Sequence, residues 1–116
     1  MLVPPHLKIH LASQPVDMRK SYQSLGVLVK NVLHGNPFCG HLFVFYNKRK
    51  DLVKILYWQT NGFCLWQKRL EKGRFQLLEF PQASSIGITS YQLEGLIQGI
   101  DWKKIPTPEV LSYNFL

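Results

Sequence analysis

The stretch that decides the fold runs from residue 41 to residue 70: HLFVFYN (41–47), KRKD (48–51), LVKILYWQ (52–59), TNG (60–62) and FCLWQKRL (63–70). The three longer pieces are rich in β-branched and aromatic residues, which suit a pleated, half-buried surface. The two short pieces read as turns. KRKD fits a four-residue hairpin loop, and Asn61-Gly62 is the strongest short hairpin signal in the chain because both residue types accept positive φ. The stretch therefore predicts a three-stranded antiparallel meander, with Asn61 and Gly62 as the central residues of the second turn.

That pairing sets Lys54 opposite both Phe45 and Arg69, and Ile55 opposite Val44 and Lys68. One face then gathers His41, Phe43, Phe45, Lys54, Trp58, Gln67 and Arg69. The other gathers Leu42, Val44, Val53, Ile55, Tyr57, Trp66 and Leu70, and as the more apolar face it is expected to lie under a helix. Lys54 across from Arg69 is a like-charge pair, unfavourable unless an anion lies between them. A slip of one residue would exchange the two faces.

Upstream, residues 7–12 (LKIHLA) alternate as a short strand, and Gln14-Pro15 follow it. Asp17 is placed to cap a helix, and Met18, Tyr22, Leu25, Val29, Val32 and Leu33 recur at helical spacing until the chain reaches His34-Gly35. Asn36-Pro37 reads as the loop after it. Downstream, a further strand is expected over Arg74–Phe80. Thr89 and Gln92 have capping-box spacing at the start of a second helix, which carries Tyr91, Leu93, Leu96 and Ile97 and ends at Gly99. The reading is an α+β domain over residues 1–105, followed by a tail at 106–116. Its sheet is largely antiparallel and of about five strands, with one long helix after the first strand and a second near the C-terminus.

With 116 residues, 46% of them apolar, the chain holds one modest core. Its net charge of +7 arises from fourteen Lys/Arg against seven Asp/Glu. Eight of the cations lie between Lys48 and Arg74, where Asp51 and Glu71 are the only acids. So local an excess beside aromatic rings favours a polyanion, with nucleic acid ahead of a membrane. The same lysines are also what a solvated sheet uses to stay soluble. No run approaches the ~18 apolar residues of a spanning helix. The opening MLVPPHLKIH has neither a basic n-region with an apolar run nor a small-residue cleavage site, so a cytoplasmic protein is expected.

Cys39 and Cys64 read as reduced packing residues. His34, Cys39, His41 and Cys64 lack any CxxC or paired spacing for zinc, and His6 and His10 have one-turn spacing but sit in a strand-like pattern. No metal, cofactor or small-molecule substrate is expected. The carboxylates Asp17, Asp51, Glu71, Glu79, Glu94, Asp101 and Glu109 form no pattern that converges on Mg²⁺. There is no GxSxG elbow and no GxxxxGK loop, so catalysis is not expected.

The candidate DNA contacts are Lys48, Arg49 and Lys50 in the basic loop, then Lys54, Lys68, Arg69, Lys72 and Arg74. Arg19 and Lys20 join them, because cations in the first turn of a helix oppose its macrodipole; a phosphate, a partner or plain solvation would each account for the pair. Trp58 and Trp66 read as core rather than as stacking platforms.

Several pieces, in order and at matching spacing, carry a resemblance that covers about residues 7–103. They are Val16-Asp17-Met18-Arg19-Lys20-Ser21, Leu42-Phe43-Val44-Phe45, Lys54-Ile55-Leu56 before Trp58, Gly62-Phe63-Cys64-Leu65-Trp66, and Lys68-Arg69-Leu70-Glu71-Lys72-Gly73-Arg74-Phe75. Ile88-Thr89 through Gln92-Leu93 to Gly99-Ile100-Asp101-Trp102 completes the set. Together they resemble TnpB, the accessory protein encoded by the second open reading frame of insertion-sequence-66-type bacterial transposons. The chain departs from the family pattern in three places: Gln59 stands where an Asp usually follows the Trp, Tyr46-Asn47 interrupts an Arg-rich stretch, and Leu77-Leu78-Glu79-Phe80-Pro81 replaces a shorter Trp-Pro ending.

The resemblance implies a role beside a transposase carried on a separate chain. The reading that follows is a non-catalytic accessory protein that binds DNA and helps the transposase assemble on element ends. The alternative is an adapter that binds the transposase, or another protein of the element, without contacting DNA.

Overall fold

Leu42, Phe43, Val44, Phe45 and Tyr46 are each 2% exposed or less. A strand with no wet face must lie inside a sheet that is covered on both sides. The computed structural model, which describes residues 6–19, 22–31, 33–80 and 82–105, has it at the centre. In chain order the elements are β1 (Ile9–Ala12), α1 (Tyr22–Asn31), β2 (Leu42–Tyr46), β3 (Leu52–Gln59), β4 (Gly62–Arg69), β5 (Ser85–Ile88) and α2 (Ser90–Ile97), followed by a 3-10 turn at Trp102–Lys104. The sheet order is β4-β3-β2-β1-β5. Only β1 and β2 run parallel, joined by a crossover through α1, and the other neighbours are antiparallel. This is the expected α+β class.

The β2–β3 register is the expected one, with Phe45 opposite Lys54 and Val44 opposite Ile55. The β3–β4 register is displaced by two residues. Gln59 pairs with Gly62, so Thr60 and Asn61 form the turn, and Thr60 takes a φ of 56°. Lys54 therefore faces Gln67, and Arg69 faces Leu52. The expected like-charge pair of Lys54 and Arg69 does not form. Side-chain packing along eight paired positions outweighs the local preference of Asn-Gly: Phe63 comes opposite Trp58, their rings 5.1 Å apart, and Trp66 comes opposite Ile55. Because the displacement is even, both faces keep the expected membership.

The first helix is ten residues, shorter than the Met18–Leu33 reading. The carboxylate of Asp17 accepts the Arg19 amide at 3.0 Å and the Arg19 guanidinium at 2.7–3.2 Å. Asp17 thus closes a tight turn ahead of the helix instead of capping it. Lys20, Ser21 and Val32 lie outside the described residues. At the far end the amides of Leu33 and Gly35 donate to the carbonyls of Leu28 and Val29, with His34 at a φ of 56°, so the chain leaves the helix where expected.

Arg74–Phe80 is not a strand. Its alternation is real, since Phe75 and Leu77 are buried between exposed Arg74, Gln76 and Leu78. Its backbone groups, however, are claimed one at a time by different elements, so no ladder can form. Phe75 donates to the Lys50 carbonyl at 2.8 Å and Phe80 to that of Ser13 at 3.0 Å. The carbonyl of Gln76 accepts the Trp102 indole at 2.6 Å. The fifth strand is instead Ser85–Ile88, antiparallel to β1.

α1 lies on the face of Phe43, Phe45, Trp58 and Phe63, where Tyr22 meets Phe63 at 6.0 Å between ring centroids. α2 covers the opposite face, bringing Leu93, Leu96 and Ile97 into one core with Ile9, Leu11, Ile88 and Trp102. The start of α2 is the expected capping box. The Thr89 hydroxyl accepts the Gln92 amide at 3.1 Å, and the Gln92 side chain accepts the Thr89 amide at 2.9 Å. The tail expected at 106–116 lies outside the described residues. Replacing Thr89 with Ala is expected to lower stability by about 1 kcal/mol, seen as a reduced urea midpoint with an unchanged slope.

Candidate nucleic-acid interface

One end of the sheet gathers much of the charge. The β2–β3 loop is shaped by Asn47, whose side-chain oxygen accepts the amides of Asp51 and Leu52 at 3.0 and 3.1 Å while its amide donates to the Asp51 carboxylate at 2.5 Å. Two backbone bonds then dock the segment after β4 against this loop: Leu70 N–H to the Asp51 carbonyl and Phe75 N–H to the Lys50 carbonyl, both 2.8 Å. Lys48, Arg49, Arg69, Lys72 and Arg74 are thereby held on one rim, all exposed, with Asp51 and Glu71 as the acids among them. Arg69 reaches Asp51 at 3.3 Å. The Asp51 carboxyl is held below the usual carboxylate range, first by the Asn47 hydrogen bond and then by the charges of Arg69 and Arg49, so it stays ionised at neutral pH.

Three other candidates serve the fold. The ammonium of Lys50 donates to the Leu77 carbonyl at 3.1 Å, that of Lys54 to Met18 at 2.7 Å, and that of Lys68 to Ile97 at 3.0 Å. Ile97 ends α2, where the unmatched carbonyls favour a cation. Each part-buried lysine ties two separate segments together through a charge-assisted hydrogen bond. Arg19 is exposed on the segment before α1 and paired with Asp17 at 2.7 Å. Lys20 lies outside the described residues.

The aromatic residues gather elsewhere. Phe38, Trp58 and Phe63 meet at centroid distances of 5.1–5.3 Å, with Tyr22 against Phe63. This cluster sits by the Thr60-Asn61 turn, at the opposite end of β3 from the rim, roughly 23 Å away at the usual rise of a strand. Trp66 points to the other face of the sheet. Charge and rings therefore do not form one surface, and stacking of bases beside the cationic rim is not what this geometry offers. A cavity of about 580 Å³, lined by Ala12, Pro15, Val16, Leu28, Leu33 and Phe45 among others, has Asp17 as its one ionisable lining residue. That is the wrong sign for an anion.

The four residues weighed for zinc do not assemble, and among the described residues no three His, Cys, Asp or Glu come together as a metal site. Instead His10 and His41 share a hydrogen bond, Nε2 to Nδ1 at 2.9 Å, with His10 stacked on Phe43 at 5.0 Å. Such a bond needs one ring to donate and the other to accept. Burial, then the nearby charges of His41 and Lys8, holds the His10 pKa below 6.5. Asn47 and this histidine pair were missed in the sequence. Asn47 shows in the sequence only as part of the Tyr46-Asn47 departure from the family's Arg-rich stretch, and the histidines meet only through the parallel β1–β2 pairing.

The geometry defines a small α+β protein with a cationic rim and no assembled catalytic or metal centre among its described residues. Residues 7–107 match the family model described as IS66 Orf2 like protein. The chain belongs to that family, and so is a transposition accessory protein of the IS66 type. It is similar to two curated proteins of Sinorhizobium fredii (strain NBRC 101917 / NGR234). Uncharacterized protein y4hO is 37% identical over 98 residues, 84% of each chain. Uncharacterized protein y4jC is 36% identical over 101 residues, 85% of this chain and 84% of its own. No solved structure matches. Among the described residues no helix is long and apolar enough to cross a membrane.

Lys54→Met and Lys68→Met are expected to cost about 1–3 kcal/mol in urea unfolding, because each leaves a carbonyl without its charged donor. Lys72→Met and Arg74→Met are expected to change stability by less than about 0.5 kcal/mol. The depressed His10 pKa means that the unfolded chain binds a proton which the native state refuses. Stability is therefore complete above about pH 6.5 and falls as pH drops through the window between that value and the lowered native pKa. His10→Phe should flatten this acid-side fall in urea midpoints measured across it.

Proposed function

We propose that this protein is a non-catalytic accessory factor that grips the DNA backbone with its cationic rim and so helps the transposase assemble on element ends. The observation that carries the reading is the docking of residues 69–75 against the β2–β3 loop. Two backbone hydrogen bonds gather Lys48, Arg49, Arg69, Lys72 and Arg74, five cations from two separated parts of the chain, where Asp51 and Glu71 offset only part of their charge. Phosphates are the groups such a rim suits, since long exposed cations position a backbone and carry little sequence information. The separation of the aromatic cluster from the rim also favours duplex backbone over stacked single strands.

The carboxylates support a non-catalytic role. Asp17 is bound to Arg19, Asp51 to Asn47 and Arg69, and Asp101 accepts the Lys103 amide at the start of the closing 3-10 turn. A second reading, an adapter for the transposase, draws on Phe38 and Tyr22, which are 57% and 46% exposed at the aromatic end. Rings half in water suit a protein hot spot.

Fluorescence anisotropy on labelled duplexes across a salt series separates the two. Binding is expected to weaken by about 0.9 log units per log unit of salt for each phosphate neutralised. Lys72→Glu with Arg74→Glu should weaken binding and flatten that slope by roughly two phosphates, while Lys54→Met keeps the wild-type slope. Element-end and scrambled duplexes should bind alike. An absence of binding at low salt would overturn the DNA reading and direct attention to capture of the transposase.

A further inference from the structure

The geometry points to β4 as a self-pairing edge, through which a second copy of this chain adds antiparallel to continue the sheet. β4 is the outermost strand on its side and pairs, among the described residues, with β3 alone. It keeps continuous register over eight residues, Gly62–Arg69, without proline or bulge. The opposite edge, β5, is half as long and carries Gly87. Edge strands are usually guarded by proline, a bulge or a central charge. From Phe63 to Gln67, β4 has none of these.

The hydrogen-bonding phase of the hairpin shows which groups are offered. In a two-residue hairpin the flanking pair exchanges its hydrogen bonds, here Gln59 with Gly62, and alternate pairs repeat the pattern. The Leu70 amide bond to the Asp51 carbonyl, 2.8 Å, continues the same phase. Even-numbered residues of β4 thus turn their amides and carbonyls toward β3. Phe63, Leu65, Gln67 and Arg69 turn theirs outward, an open ladder with no described partner.

The charge distribution selects the occupant. Lys68 and Arg69, the cations of β4, both stand at its last two positions, so the centre of the edge offers an acidic strand no cation to meet. The segment Phe63–Gln67 is uncharged and fits another uncharged segment. Antiparallel pairing of two copies about Leu65 is self-complementary: Phe63 faces Gln67, Cys64 faces Trp66 and Lys68 faces Gly62, so no cation meets a cation. Parallel pairing of two copies would set Lys68 and Arg69 beside their own copies, which is unfavourable. The antiparallel arrangement is isologous and closes as a two-fold dimer. Both copies keep α1 on the same side of the joined sheet, and the two basic rims fall at opposite ends of the paired strands.

The test is sedimentation equilibrium of the full chain over a wide range of protein concentration, alone and without DNA. The wild type is expected to approach the mass of two 13.5 kDa chains. Leu65→Pro removes an outward amide that makes no bond to β3, so the meander is spared while the edge is blocked. Leu65→Lys leaves the backbone whole and puts a charge at the centre of the edge. Both variants are expected to run as single chains with the wild-type circular dichroism spectrum, and the lysine variant decides should the proline variant unfold. A wild type that stays a single chain at every concentration overturns the proposal, as does a dimer that persists in both folded variants.

Discussion

Everything in this molecule depends on keeping β2 dry on both faces. Its five residues alternate sides, yet all are apolar or aromatic and all are buried. Its hydrogen bonds are met by β1 and β3, and its side chains need one layer above and another below. α1 supplies one and α2 the other. The crossover from β1 through α1 brings the first helix onto its face, while the return through residues 70–84 to β5 brings the second onto the opposite face. The lysine anchors follow from the same requirement. Lys54 holds the segment before α1 and Lys68 holds the end of α2, one on each face of the sheet, so each covering layer is fastened to the meander by an ammonium on a carbonyl.

That arrangement explains why composition overstates the charge that the fold leaves exposed. A lysine counted from the sequence is a charge available to a partner, whereas in the fold its ammonium can be a donor of three hydrogen bonds on a long tether. Lys50, Lys54 and Lys68 are used as tethers, and they stand in the same basic stretch as the exposed Lys48, Arg49, Lys72 and Arg74. Nothing in the local pattern distinguishes the two groups. Long-range packing does: Lys50, Lys54 and Lys68 each come within reach of a carbonyl of a separate segment, Leu77, Met18 and Ile97, and the other four stand exposed.

The meander, the second helix and its capping box were legible because each is a local signal: alternation, a turn sequence, or hydroxyl and amide at fixed spacing. The failures came where long-range pairing decides. Arg74–Phe80 has the alternation of a strand, but Lys50, Ser13 and Trp102 claim its backbone separately. Ser85–Ile88 carries only a weak strand signal, and pairing with β1 makes it one. The register of β4 was set by eight cross-strand contacts in preference to the Asn-Gly turn, and the even displacement preserved the faces while removing the lysine–arginine opposition. The cationic rim was half visible, because the cations could be counted but the docking of two loops that collects them could not.

The position of β1 has a consequence for how the protein is made. Its four residues lie between β2 and β5, so Ile9 is partnered by Leu42 on one side and by Ile88 on the other. During synthesis the first strand emerges long before either partner, while β2, β3 and β4 pair with near neighbours and can close as soon as they leave the ribosome. The sheet is therefore completed backwards, from the middle of the chain to its start, with the last strand sealing the first. Until residue 88 is free, β1 keeps an open ladder toward whatever strand is nearby, and the nascent chain is exposed to mispairing while residues 13–88 are made.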